Sequence, residues 1–570
     1  MKRKGTGAEN KSNALRDTLI LSALTILLLI PFANKAFHID DPLFLWAAAQ
    51  IQKNPVDFYG FTVNWYGYVM PMSEVMKNPP LTSYFIALVA SITGWGEAPI
   101  HISFILPAIA LVTGTYFLAR RFCADPLLAA LATLITPVFL VSATSVMSDV
   151  MMLAFWAWAM VLWIRGTERD ELSSLFLSGL FIAMSALTKY FGMSLVPLLC
   201  AYSILNRKNP ARWVPAMLIP VVILAGYQWL THGMYGRGLL FDAASYAVGR
   251  KITMAASLAE SGFIGLVFAG GCMITALFYK PLLWSRRALL GYLIMAVVVG
   301  VVLLSAGKSA GMRLVTQEGT RWELLVQLMI FGVVGLGIIA LSIRDVIRRK
   351  DPFSAVLFLW IAGTFVFASF VNWTTNGRTV LPMAPAMGIL ISRAMEERGV
   401  TARGASRALR TYLPLIPAVF ISLMVAWGDL SLANSNRTMA EQISEKYRPR
   451  PPLARKLWFE GHWGFQWYME DKGAAAINFD SERLSTGDVV AVPLSNTNIR
   501  PLPVGRFREV EEISFPTYRW ASVMSPKSGA GFYSSAFGPL PFVILPAVYR
   551  DTYIVAEITG EIRFYQMMTF

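Results

Sequence analysis

The chain has 570 residues, of which 55% are hydrophobic and only 15% charged, with a mean hydropathy of +0.51. That balance excludes an ordinary soluble globular protein and identifies a polytopic α-helical membrane protein. The formal net charge of +15 sits in Lys and Arg at the ends of apolar runs. This is the pattern of topology signals and contact with membrane lipids, and it argues against nucleic acid as a partner.

Three cysteines, Cys123, Cys200 and Cys272, lie in or beside apolar runs with no CxxC spacing. A disulfide framework or zinc ribbon is not expected from them. Residues 1–16 carry Lys2, Arg3, Lys4, Lys11 and Arg16 ahead of the first apolar run. They read as a cytoplasmic N-terminus followed by an uncleaved span.

Apolar runs fall at 17–36, 100–119, 127–146, 148–164, 172–189, 191–205, 212–230, 262–279, 285–306, 322–343, 353–371, 379–395 and 410–427. Together they predict about thirteen transmembrane helices. Basic clusters at Arg120-Arg121, Arg207-Lys208, Arg286-Arg287 and Arg348-Arg349-Lys350, and the connector from Arg393 to Arg410, are expected on the cytoplasmic side. The parity holds only if Leu81 to Thr93 does not cross, and that run predicts a helix in the outer interface or one re-entering the protein. The membrane domain is thus expected over 17–429, with a long outer loop at 37–99. A second outer loop, 231–261, holds a stretch, 239–258, that could form another interfacial helix. From 430 to 570 the chain is richer in charge, proline and turn signals. It predicts a soluble α+β domain on the outer side.

The first outer loop opens with Phe37-His38-Ile39-Asp40-Asp41-Pro42. Carboxylates beside a bilayer are costly, and they mark either the water boundary or a functional site. As a site, Asp40 or Asp41 would take a proton from an acceptor hydroxyl, while the other binds substrate or has its pKa raised by its neighbour. Lys77, ahead of Asn78-Pro79-Pro80-Leu81, is either an ordinary residue before a proline-led helix or a phosphate ligand at that helix start. Glu74 and His232 are a weak candidate pair for a divalent metal ion, and no cofactor is certain. Asp149 and Lys189 are isolated charges between apolar helices, either snorkelling or contacting substrate. Arg237 and Arg378 could hold a departing lipid phosphate or contact headgroups. The aromatic-rich stretch from Trp458 to Tyr468, with Glu460 and His462, reads chiefly as packing or docking onto the membrane domain.

Taken in order, these motifs resemble the GT-C glycosyltransferases, and within them the bacterial branch of the protein O-mannosyltransferase family (glycosyltransferase family 39). That branch includes the lipid A aminoarabinose transferase. Phe37-His38-x-Asp40-Asp41 with Trp46-Ala47 is similar to the family's Asp-Glu signature, with Asp41 in the Glu position. Lys77-Asn78-Pro79-Pro80-Leu81 is similar to its Lys-Pro-Pro-Leu segment, the lysine displaced by one. Arg378-x-x-Leu381-Pro382-x-x-Pro385 is similar to a segment late in its membrane domain, without the tyrosine. The resemblance implies a transferase that moves a sugar from a polyprenyl-phosphate donor to a hydroxyl acceptor on a protein, lipid A or another glycan. It implies inversion, with Asp40 as base, on the outer side of the inner membrane. A transporter or flippase for a lipid-linked sugar, or a non-catalytic polyprenyl-phosphate binder, is the competing expectation. The absence of repeated halves in the sequence counts against a transporter.

Overall fold

The computed structural model describes residues 7–253, 257–309, 311–399, 405–447, 455–545 and 550–564. Lys2, Arg3 and Lys4, and part of the basic connector after Arg393, lie outside them. Among the described residues, eight helices are long and apolar enough to cross a membrane, or up to ten if each of two bent helix pairs is one span. The expected runs at 172–189, 191–205 and 379–395 fall on helices of 17, 11 and 15 residues. A helix needs about 20 residues to cross the hydrocarbon. The run after Pro80 forms a helix of 13 residues, Leu81–Thr93, about 20 Å long and too short to span. It ends at Gly94, whose φ of +82 suits glycine alone.

The bent pairs matter most for the site. Pro126–Leu134 and Pro137–Ala143 meet at 64°, and Leu258–Cys272 meets Thr275–Leu283 at 88°. In the first, Pro137 removes a helical donor, and the side chain of Thr136 accepts from Phe139 N–H to restart the chain. Irregular backbone at membrane depth survives only when protein surrounds it. From 128 to 154 the side chains are accordingly buried. The second helix of the pair stops at Ala143, and the turn Thr144–Ser148 after it presents the Val146 N–H to Asp41. Gly270 of the second pair and Gly335 of the neighbouring helix Trp322–Arg349 allow backbone contact: a Cβ on Gly335 would stand 2.0 Å from the Leu266 carbonyl oxygen.

The change of composition expected at 430 falls inside a helix, Leu415–Tyr447, which runs through it unbroken. The first strand after it is Leu457–Phe459. The C-terminal region holds a five-stranded mixed sheet in the order Phe507–Pro516, Arg550–Ile558, Val489–Pro493, Leu457–Phe459, Ala475–Ala476. Its first three strands are antiparallel, and the last two join in parallel. The helix Trp463–Asp471 makes the crossover between the parallel pair. That helix docks on the acidic turn: a Cβ at Gly464 would lie 2.1 Å from the Phe37 carbonyl oxygen. Phe37 N–H donates to Tyr468 Oη at 2.8 Å. Packing against the membrane domain is thus what the aromatic stretch does.

Beside this seam Glu460 is buried, with Oε2 accepting from Arg500 N–H at 2.8 Å and Oε1 unpartnered. Burial pushes its carboxyl up to about 7. An acid whose folded-state pKa is raised favours the fold below its unfolded value, and the advantage is lost as pH rises through about 7. Glu460→Gln should therefore gain on the wild type by about 1–3 kcal/mol as pH is raised from about 5 to about 8. Thermal unfolding in detergent at the two pH values measures this; an equal difference at both would show that Glu460 is not titrating there.

Candidate functional site

The first span ends in a short turn, Ile30–Phe32, and the chain then crosses the protein interior to Asp40, the N-cap of the helix Asp41–Lys53. Between them Ile39 has φ +49, a left-handed conformation that costs a β-branched residue about 1–2 kcal/mol. Burial on every side holds it there. The turn sends the two adjacent carboxylates into different environments.

Asp41 is fully buried. Its Oδ2 accepts from His38 N–H at 2.8 Å and its Oδ1 from Val146 N–H at 3.0 Å. It therefore staples the acidic turn to the turn that follows the bent pair, between Ala143 and Asp149. Burial pushes its carboxyl up to about 7, opposed by Lys35 and the two N–H groups, and Asp40 contributes least. The neighbouring charge is thus a minor cause of the raised pKa.

Asp40 is 30% exposed, and its Oδ2 accepts from Arg378 Nη2 at 2.9 Å. Its Oδ1 has no hydrogen bond among the described residues. Arg378 stands on the short helix Gly377–Val380, started by an Asn376–Thr379 capping box. It lies over the Tyr533 ring at 5.5 Å, and it feels the Asp149 carboxylate as well as Asp40. Asp149 is 2% exposed and pairs through Oδ1 with Lys189 Nζ, while its Oδ2 is buried and unpartnered. The structure thus brings Asp40, Arg378, Asp149 and Lys189 into one row of alternating charge.

A second row joins residues 74–77 to residues 237–242. Lys77 Nζ meets Asp242 Oδ2 at 2.5 Å; Arg237 reaches Asp242 Oδ1 at 3.5 Å and Glu74 Oε1 at 2.8 Å. Lys77 also lies over the Tyr246 ring at 5.3 Å. Tyr66 stands in the field of both Asp40 and Tyr246, and Tyr190 in that of Asp242, so the two rows face each other. Glu74 is engaged by Arg237, and His232 lies exposed at the last turn of its helix. Among the described residues no three His, Cys, Asp or Glu stand together to hold a metal ion. Glu74 and His232 do not make a ligand set here.

Behind the acidic turn is a network the sequence did not single out. Lys35 is fully buried; its Nζ meets Asp429 Oδ2 at 2.5 Å and Ser145 Oγ at 3.3 Å. The Tyr533 hydroxyl donates to Asp429 at 2.9 Å, and the His38 ring stands edge-on to Tyr533. One signal was readable: Lys35 ends the first apolar run and Asp429 ends the last. Tyr533 carried none.

A family model described as dolichyl-phosphate-mannose-protein mannosyltransferase matches residues 77–229. No curated protein sequence matches the chain. Among solved structures, the Archaeoglobus fulgidus oligosaccharyltransferase tethered to an acceptor peptide aligns with 13% identity and a TM-score of 0.49, covering 81% of this chain and 63% of that one. This chain therefore spans less than two thirds of that enzyme. ArnT from Cupriavidus metallidurans bound to undecaprenyl phosphate aligns at 12% identity and TM-score 0.48, covering 84% of this chain and 93% of that one. The S. cerevisiae Pmt1-Pmt2 complex bound to its sugar donor aligns at 15% identity and TM-score 0.31, covering 42% and 36%. Fold and site together define a multi-pass membrane protein with an acidic site at the mouth of its helices. Over residues 77–229, the resemblance to the protein mannosyltransferase family expected from the sequence is borne out by the family model.

Breaking a buried ion pair by removing one partner costs about 3–5 kcal/mol, because the other charge is left uncompensated. Lys35→Met should lower thermal stability in detergent by that order, and Lys35→Met combined with Asp429→Leu should recover most of the loss. A single variant as stable as wild type would show that the pair is not ionised and buried as described.

Proposed function

We propose that this protein is a membrane glycosyltransferase that moves a sugar from a polyprenyl-phosphate donor to a hydroxyl acceptor on a protein or glycolipid. It would work at the outer face of the inner membrane, with the C-terminal region on that side. The observation that carries the reading is the division of labour between the two acids. Asp41 spends both oxygens on backbone N–H groups. Asp40 is partly exposed, fixed through one oxygen by Arg378, with the other oxygen unbonded. A carboxylate so oriented is a competent general base.

The step balances as follows. The acceptor oxygen attacks the anomeric carbon and its proton passes to Asp40 Oδ1. The bond from that carbon to the phosphate oxygen breaks, and its electron pair leaves with the lipid phosphate. Attack opposite the leaving group gives inversion. Cations oppose the base in the manner such a reaction needs: Lys77 and Arg237 to hold the donor phosphate, with Lys189 and Arg378 nearer the acids. An apolar cavity of about 420 Å³ supports a lipid-borne donor. It is lined by Leu81, Phe85, Leu88, Leu106, Trp158 and Phe181, and it begins four residues after Lys77. Such walls suit a polyprenyl chain and give nothing for a nucleotide to bond.

Asp40→Asn keeps size and shape but cannot take the proton. Turnover of a radiolabelled polyprenyl-phosphate sugar, with acceptors from a membrane extract of the source cell, should fall about 10²–10⁴-fold. Binding of the donor should persist. Undiminished turnover in Asp40→Asn would remove Asp40 from the role of base.

A further inference from the structure

We propose that Asp242 is a built-in competitor for the lipid phosphate, and that the helix carrying it swings aside when phosphate binds and returns to expel the product, an inference that rests on reading Lys77 and Arg237 as phosphate ligands. The Asp242 carboxylate offers one oxygen to each of these cations, Oδ2 to Lys77 at 2.5 Å and Oδ1 to Arg237 at 3.5 Å. Two anionic oxygens on one centre are what a phosphate would present to the same pair. Glu74 completes the set through Arg237. The two cations then face two carboxylates, and the cluster carries no net charge. A phosphate gains full pairing there only by taking the place of a carboxylate.

Asp242 is the carboxylate built to leave. Its pair with Lys77 is about one-fifth exposed on each side, so solvent can replace what is broken. Asp149, paired with Lys189, is 2% exposed and would be stranded if parted. The helix Leu239–Thr253 is half-buried or exposed from Asp242 to Arg250. It packs against the segment Phe367–Val371 and is held to the charged site along one stripe. Asp242 grips Lys77 and Arg237, Tyr246 lies beneath Lys77, and Arg250 lies over the same ring at 5.6 Å. These residues recur every four positions and so share one helix face. The start of the helix is tied instead to the preceding one: Leu239 N–H donates to Thr231 Oγ1 at 3.1 Å and Leu240 N–H to Gln228 Oε1 at 3.1 Å. Gly236, at φ +68, lies between the two helices. A helix anchored at one end and latched along one face by displaceable charge can pivot.

The reaction supplies a reason for such a latch. A donor phosphodiester carries one negative charge. The monoester left after transfer carries about 1.5–2 at neutral pH. The same two cations would hold product harder than donor, and Asp242 returning to them offsets that excess.

The test compares wild type, Asp242→Asn and Lys77→Gln in lipid nanodiscs, using a polyprenyl monophosphate as probe and the uncharged polyprenol as control. Asp242→Asn should bind the monophosphate roughly fivefold tighter than wild type, with polyprenol unchanged. Product inhibition should set in at correspondingly lower concentration. In wild type, amide hydrogen exchange over 239–253 should quicken when the monophosphate is added. Equal or weaker binding by Asp242→Asn, or exchange that does not respond, overturns the proposal. If Lys77→Gln binds the monophosphate as well as wild type does, the phosphate reading of Lys77 has failed and the competitor role falls with it. If Lys77→Gln weakens binding and Asp242→Asn does not tighten it, only the competitor role is lost.

Discussion

The salt bridge between Lys35 and Asp429 is made where neither partner touches water, and the geometry of the acidic turn depends on it. Lys35 closes the first span and Asp429 lies within the last long helix. Joining them draws the two ends of the membrane domain together behind His38. Ser145 from the turn after the broken helix pair and Tyr533 from the C-terminal region bind the same two charges. Four distant segments thus meet at one buried pair. Desolvating such a pair costs about as much as its attraction returns, so it adds little net stability. Its value lies in specifying one arrangement: any slip of a segment leaves a charge buried alone.

That arrangement explains how two neighbouring aspartates acquire different tasks. Ile39 in a left-handed conformation reverses the chain just ahead of them, and the docked helix Trp463–Asp471 leaves no room for the turn to relax. Asp41 is then turned inward to the N–H groups of His38 and Val146, and Asp40 outward to Arg378. Those N–H groups exist only because both elements are irregular. Val146 follows a helix that stops at Ala143, and in a continuous helix its N–H would be bonded to a carbonyl.

Much of this was readable in the sequence wherever a charge interrupts an apolar run. Asp40, Asp149, Lys189 and Arg378 stand out for that reason, and the structure gathers all four in one row. A helix in the stretch 239–258 was legible too, and it runs over Leu239–Thr253. Lys35 and Asp429 mark the ends of the first and last apolar runs, but as a pair they were not legible, because each resembles an ordinary boundary residue. Their partnership spans 394 positions, and no local pattern encodes it. Tyr533 lies in the C-terminal region beside Phe532 and among small residues, far in sequence from the apolar runs, so nothing local marks it as part of the membrane-domain site. Polar residues begin near 430, yet the helix that starts at Leu415 continues to Tyr447, because Leu432, Met439 and Ile443 still face buried surface.

The two rows of charge differ in a way that fits the chemistry proposed for them. The row of Asp40, Arg378, Asp149 and Lys189 is held by buried members and by the C-terminal region, so its geometry is fixed before any substrate arrives. Electrostatic catalysis needs that fixity, since dipoles and charges already in place need not reorganise as the transition state forms. The row of Lys77, Arg237, Glu74 and Asp242 is partly exposed on every member and hangs on a lightly held helix. A site that must admit a long lipid from the side and later release it needs that looseness. Rigidity at the acid and give at the phosphate are therefore what one active site would require if the base must be ready and the lipid must come and go.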